Sequence, residues 1–377
     1  MPLAEVDGCR KVKFEPQFPS KHSDPESIMK RRTFLKTVGG MAGAAALGVN
    51  ELFGADEPLE RVEGLPRRAL GKTGQKLSVV GFPGLALVHY DQEKCTTALH
   101  QAFERGLNYY DVAPAYGNGQ CETKMGIGLQ GLDRSKYFLA CKTKKRDKEA
   151  CRKELEESLR LLKTDYFDLY QMHHLVRPAE VQQALGPDGA LEAMLQAKKE
   201  GKIRYIGFSA HTTKAAVGVM KGFKFDTVMF PINFVEYYTK DFGKDVLALA
   251  REQGCGVLAI KPLSYGTWPK DMKKNREWWY RSVEEPAEVE LAMRFALSQN
   301  PVVAGIPPSF LDLLDKTIEA AKAFKPLDET AITTLKEMAA NQGSIFKREE
   351  DSVAMNPLHW VPVYPDSPHE CGYGHMA

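Results

Sequence analysis

From Leu65 onward the chain alternates short β-branched or aromatic runs with segments of helical periodicity, each run about 25 to 45 residues from the next. That alternation belongs to repeated βα units and not to a sandwich, whose strands come at shorter, more even intervals. Eight runs read as strands: 77–80, 107–110, 137–141, 167–172, 203–208, 227–230, 256–260 and 302–305. Between them lie helical patterns such as 148–162, where Leu155, Leu159 and Leu162 recur at three- and four-residue steps, and 191–199, which Gly201 is placed to end. Eight such units in about 260 residues match a closed (β/α)8 barrel, an α/β TIM-barrel fold in a single domain spanning 66–325. An open doubly wound sheet would carry G-x-G-x-x-G after its first strand; Gly81-Phe82-Pro83-Gly84 stands there instead. After the barrel the pattern predicts an extra helix within 326–345, then an irregular tail, 346–377, holding Pro, Tyr, His and Gly without periodicity.

Composition narrows the function. Hydrophobic residues make up 43% and charged residues 27%, which excludes a disordered chain. The 51 Lys and Arg nearly cancel the 49 Asp and Glu, so a small-molecule function is favoured over a nucleic-acid surface. Seven cysteines without any C-x-x-C fit neither a disulfide framework nor a zinc site, and read as reduced, mostly buried thiols.

The N-terminal segment reads as an address. Residues 1–28 form a polar, Pro-rich preface, and Met29 is the expected start of the protein. Within 29–55, Arg31-Arg32-Thr33-Phe34-Leu35-Lys36 runs into a Gly/Ala-rich stretch, 37–48, too short and small-residued for a stable membrane span. This R-R-x-F-L-K segment resembles a twin-arginine export signal. Lys30 stands where such signals usually carry Ser or Thr, and the cleavage site ending at Ala55 is weak because Phe53 is not small. The resemblance implies the twin-arginine export machinery as a partner and a periplasmic location for a chain exported already folded. If the signal is not used, the location is cytoplasmic.

In a (β/α)8 barrel the chemistry sits at the carboxyl ends of the strands, so polar residues just past each apolar run are the candidates. The second run ends with Asp111 and, five residues on, Tyr116; the third ends with Lys142; the fourth ends with His173 and His174. Taken singly, each has a structural explanation as a turn cap, core aromatic, surface charge or satisfied histidine. Together they suit carbonyl reduction, which needs a hydride on carbon and a proton on oxygen. A phenol supplies that proton if an adjacent ammonium brings its pKa from about 10 toward neutrality, and a carboxylate holds the ammonium charged. Strand alternation predicts that His174 faces away from His173, and no neighbouring acid or thiol completes a metal site.

D-x-x-x-x-Y, a Lys ending the third strand and a His ending the fourth resemble the aldo-keto reductase family, over about Pro66 to Lys322. Arg68-Ala69-Leu70-Gly71-Lys72-Thr73-Gly74 is similar to that family's first hairpin, and Asp111 to Gly117 with Glu122 resembles its D-T-A-x-x-Y-G-x-x-E stretch. The resemblance implies an NAD(P)-dependent oxidoreductase acting on a small carbonyl or sugar substrate. Tyr116 would be the general acid, Lys142 with Asp111 would tune it, and His173 would orient the carbonyl and donate to the developing oxyanion.

The same resemblance implies cofactor positions. Ser209 matches the serine of the family's G-x-S-N; Ala210 replaces the asparagine, with His211 beside it as a possible substitute. Asn233 is a second candidate for the nicotinamide carboxamide, against a turn role. Leu263, Ser264 and Gly266 match the P-L-x-x-G loop along the pyrophosphate. At the adenosine end Ser309 remains, but the arginine expected for a 2′-phosphate is missing and Lys316 is the nearest cation, so NADP and NAD stay open. The long segment 261–285, with Trp268, Lys273, Lys274, Arg276, Trp278, Trp279 and Tyr280, reads as an aromatic lid or a packing loop.

Two other function classes stay open: a non-catalytic nicotinamide-binding partner or sensor, and a metal-dependent sugar isomerase on the same fold. His359, His369, Cys371 and His375 in the tail are spaced too irregularly to predict a metal site.

Overall fold

The computed structural model describes residues 59–355. The segments read as preface and export signal, and the tail beyond residue 355 with its histidines and Cys371, lie outside the described residues.

The described chain opens with an antiparallel sheet of β1 (Arg61–Val62), β2 (Leu65–Ala69) and β3 (Lys76–Ser78). Then come β4 (Phe82–Pro83), a 3-10 turn (Gly84–His89), α1 (Gln92–Glu104), β5 (Tyr109–Asp111), α2 (Gln120–Gly128), β6 (Phe138–Thr143), α3 (Lys148–Leu161) and β7 (Phe167–Leu175). They continue with α4 (Pro178–Leu185), α5 (Ala190–Lys199), β8 (Ile203–Ala210), α6 (Thr213–Gly222), β9 (Thr227–Pro231), α7 (Phe234–Lys240), α8 (Lys244–Gln253) and β10 (Gly256–Ile260). The last elements are α9 (Pro286–Leu297), β11 (Val302–Ile306), α10 (Leu311–Lys322), α11 (Glu329–Ala339) and α12 (Lys347–Met355).

Strands β4 to β11 form one eight-stranded parallel sheet in sequence order. It closes where Val80 bridges Gly305, with Gly81 N–H donating to Gly305 O at 3.1 Å and Gly305 N–H to Val79 O at 2.9 Å. The result is the (β/α)8 barrel that the alternation predicts. The first predicted strand, 77–80, requires correction. Its start pairs antiparallel with β2, and only its end joins the barrel. An apolar run records burial, not the partner it is buried against.

Side chains of period two sort the barrel into layers. Outward residues such as Tyr110, Cys141, Tyr170, Phe208, Val228 and Val257 pack against helical Leu99, Leu155, Val219, Val246 and Phe295 in one continuous core. Inward Tyr109, Phe138, Ala140, Leu169, Met229, Leu258 and Ala304 form a second cluster with Leu70 and Leu77 from the hairpin, which plugs the lower end. Tyr205 fastens the hairpin turn, its hydroxyl donating to Thr73 O at 3.0 Å. Helices start where short polar side chains cap free amides. Asp91 accepts from Lys94 N–H, Asp147 from Ala150, Thr212 from Ala215 and Asp328 from Ala331.

The tail read as irregular from 346 does not begin so, because α12 follows two wholly buried residues, Ile345 and Phe346. Glu236 at the start of α7 accepts from Ile345 N–H and the Ser344 hydroxyl, each at 2.6 Å, which pins this segment to the barrel top. Among the described residues, no helix is long and apolar enough to cross a membrane.

Candidate active site

The inward rows that are apolar at the barrel bottom become ionisable at the top. Tyr109 leads to Asp111 on β5, Ala140 to Lys142 on β6, and Leu169 through Gln171 to His173 on β7. Parallel pairing places these rows side by side, Ala140 opposite both Asp111 and Leu169. Tyr116 arrives from the turn after β5. The turn is tight, with Tyr116 N–H donating to Ala113 O at 3.0 Å and Gly117 at φ +60°.

Lys142, wholly buried, donates to the Asp111 carboxylate, to Val112 O at 3.1 Å and to the Tyr116 phenol oxygen at 3.3 Å. Tyr109 donates to the other Asp111 oxygen at 3.2 Å. The Tyr116 and His173 rings meet edge to face at 5.7 Å. Asp111, Tyr116 and His173 line one cavity at the barrel mouth, with Lys142 beneath them. Gly84, in the same wall, has to be glycine, because a Cβ there would lie 2.2 Å from Asp111 O.

The charges behave differently from the sequence expectation. The Asp111 carboxylate and the Tyr116 phenol hold the Lys142 ammonium charged, above the ordinary lysine value despite its burial. Tyr116 is not brought toward neutrality. Burial pushes the phenol up to about 12, and Lys142 only moderates the rise. The phenol therefore keeps its proton at neutral pH, as a donor needs to.

Of the expected cofactor residues, Ser209 and Ser309 line the cavity. Ser209 Oγ accepts from His174 N–H at 2.7 Å, which leaves its own hydroxyl proton for an acceptor in the cavity. Asn233 is wholly buried as the cap of α7, its Oδ1 accepting from Glu236 N–H at 3.0 Å. Its Nδ2 has no partner among the described residues, and it is not part of the cavity wall. Leu263, Ser264 and Gly266 also stand behind the wall. They are zipped to 281–283 through Val283 N–H to Leu263 O at 2.9 Å and Tyr265 N–H to Arg281 O at 2.7 Å. Gly266, at φ +83°, packs so closely that a Cβ would lie 2.4 Å from Gly343 O.

The aromatic segment is a fastened wall. Trp278, Trp279 and Tyr280 line the cavity, while Arg276 ties the loop to Glu284 at 2.7 Å and to Asp312 on α10. Lys316 does likewise, donating to Glu284 O at 2.7 Å. His174 departs from strand alternation. Its φ of +57° and a register shift between Met172 and Leu175 turn its ring to within 4.4 Å of His211.

Sequence reasoning passed over Lys261 and Glu349. Lys261 lies in the cavity wall directly after β10, where the strand-end rule that found Lys142 applies equally. Glu349 belongs to α12 and carried no signal.

The aldo/keto reductase family model matches residues 84–340. L-galactose dehydrogenase of Arabidopsis thaliana is 26% identical over 312 residues, covering 78% of this chain and 96% of that one. An aldo-keto reductase from Bacillus halodurans, solved in its holo form, has the same fold at 23% identity. It gives a TM-score of 0.61 over 76% of this chain and 99% of its own. One from Klebsiella pneumoniae, in complex with NADPH, reaches 0.56 at 20% identity over 71% and 93%. With the family match spanning the 3-10 turn after β4 through α11 and the tetrad at the barrel mouth, the chain belongs to the aldo/keto reductase family of NAD(P)-dependent oxidoreductases.

Proposed function

We propose that this enzyme interconverts a carbonyl and an alcohol at the cavity bounded by Tyr116 and His173, with Tyr116 as the acid in the reducing direction. The observation that carries the reading is the buried chain from Asp111 through Lys142 to the Tyr116 phenol oxygen. The bound nicotinamide supplies a hydride to the carbonyl carbon or takes one from the alcohol carbon. Tyr116 gives its proton to the carbonyl oxygen, and in the reverse direction takes the alcohol's proton. Lys142 stays charged throughout, which lowers the cost of phenolate in a site where burial alone would forbid it. His173, 2% exposed and edge-on to Tyr116, is placed to donate to the same oxygen. Ser209 and Ser309, with hydroxyls in the cavity wall, would hold the cofactor. With the arginine missing, NADP and NAD both remain candidates.

The test is fluorescence titration with NADPH and NADH, followed by turnover on an aldehyde panel, for the wild type, Tyr116→Phe and Lys142→Met. Binding retained with turnover lost in both variants supports the assignment. Full turnover in both variants would sink it, and binding without turnover in the wild type would point to a sensor.

We further infer export by the twin-arginine route to the periplasm, supported by Arg31-Arg32-Thr33-Phe34-Leu35-Lys36 and the Gly/Ala-rich stretch after it. A reporter fused behind residues 29–55 should reach the periplasm, and changing both arginines to lysine should keep it inside. Equal distribution of the two fusions would refute export.

A further inference from the structure

The cavity holds a second lysine that the reductase chemistry does not use. Lys261 is 6% exposed and lines the same wall as Tyr116. Among the described residues its ammonium makes one hydrogen bond, to His211 Nε2 at 3.2 Å. That contact makes Nε2 the acceptor and puts the imidazole proton on Nδ1, which faces the Glu349 carboxylate of α12 at 4.0 Å. Trp279 and Phe346 place their rings 5.9 and 5.6 Å from the ammonium. The two rings pack against each other, 6.3 Å between centroids, and cover one flank of the ammonium; with a carboxylate behind the imidazole this is a setting that shelters a buried cation. The remaining N–H groups of Lys261, which lines the cavity, meet no other acceptor among the described residues.

We propose that Lys261, backed by His211 and Glu349, is an oxyanion-binding site, which takes a phosphate or carboxylate oxygen from a molecule held in the cavity. The arrangement is built from three distant parts of the chain. Its acid comes from α12, beyond the matched family region, which ends at residue 340. The aromatic and hydrogen-bonded docking of 344–346 fixes that acid in place. Phe346 stacks on Phe242 at 5.3 Å and meets His211 edge to face at 5.4 Å. The charged groups that act on Lys261 are Glu349 on α12 and Lys142 on β6, while His211, just past β8, is its hydrogen-bond partner and meets the His174 ring edge to face. Burial and Lys142 lower the Lys261 pKa to about 7 while Glu349 opposes them, so the site is cationic below neutrality and fades above it.

Part of this site deepens the reductase reading by naming an anionic ligand, yet the test does not depend on turnover. Trp278 and Trp279 in the wall report binding by fluorescence. The full chain is titrated with benzoate, inorganic phosphate, neutral benzamide and NADPH, as wild type, Lys261→Met, Lys261→Arg and Glu349→Gln. Benzoate should bind the wild type about tenfold tighter than benzamide, a preference that Lys261→Met abolishes and Lys261→Arg restores. Anion affinity should fall as pH rises through about 7, and Glu349→Gln should move that fall to lower pH. If Lys261→Met weakens NADPH and benzoate competes with it, the oxyanion is a cofactor phosphate. If it weakens only benzoate, with NADP bound, the oxyanion is a substrate carboxylate. The proposal is overturned if Lys261→Met leaves benzoate, phosphate and NADPH affinities within about twofold of wild type, or if anion affinity does not fall with pH.

Discussion

The two ends of the barrel interior are made by the same strands yet obey different chemistry. At the bottom, Tyr109, Phe138, Leu169 and Leu258 meet Leu70 and Leu77 of the hairpin in a packed apolar plug. Two to four residues further up the same rows stand Asp111, Lys142 past Ala140, and His173 past Gln171. The bottom gains stability from area removed from water. The top gives stability up, since it buries ionisable groups that survive only in mutual contact. A single period-two pattern thus supplies both a foundation and a reactive surface. The hairpin closes one end, and no such plug is needed where ligand enters.

The largest effect that would sharpen this contrast is on rate alone. Tyr116→Phe should lower kcat/KM by about a thousandfold, the range of a lost general acid, while thermal unfolding stays within a few degrees of wild type. Lys142→Met should damage both properties, because Asp111 is left as a buried unpaired carboxylate. Urea unfolding should show a loss of about 3–5 kcal/mol, much of it recovered when Asp111→Asn is added. At the other end, Leu77→Ala should cost about 3 kcal/mol by cavity formation and leave kcat/KM of the folded enzyme unchanged. A rate loss there comparable to Tyr116→Phe would show that the two ends are coupled.

The smallest effect concerns Glu122, buried outside the barrel beside Cys141, which donates to it at 3.4 Å. Burial raises its pKa to about 7. The folded state then holds a proton that the unfolded chain releases near 4.5, so stability is fullest at low pH and declines as pH rises through about 7. Glu122→Gln should remove that decline, so that the variant gains on the wild type at alkaline pH by urea unfolding. An unchanged pH dependence would show that Glu122 is not the group responsible.

Much of this was legible in the sequence. The run 256–260 coincides with β10, those at 167, 203, 227 and 302 lie within their strands, and 137–141 begins one residue before β6, because both periodicities are local properties of the chain. The tetrad was legible for the same reason, each member standing just past an apolar run. The orientation of His174 was not legible, because a left-handed residue interrupts alternation and a histidine carries no sequence mark of that conformation. Leu263, Ser264 and Gly266 were legible as a loop motif, but the contacts that 281–283 and Gly343 make with that loop join distant segments and leave no local pattern.

By itself the sequence determined the order and kind of elements, hence the barrel, and which polar groups end its strands, since these follow from short-range periodicity. Only the tertiary structure decided how those groups ionise. Whether Tyr116 sits near neutrality or at about 12 depends on water excluded by segments far away in the chain. The meeting of Lys261, His211 and Glu349 likewise exists only once the barrel closes and α12 docks over it.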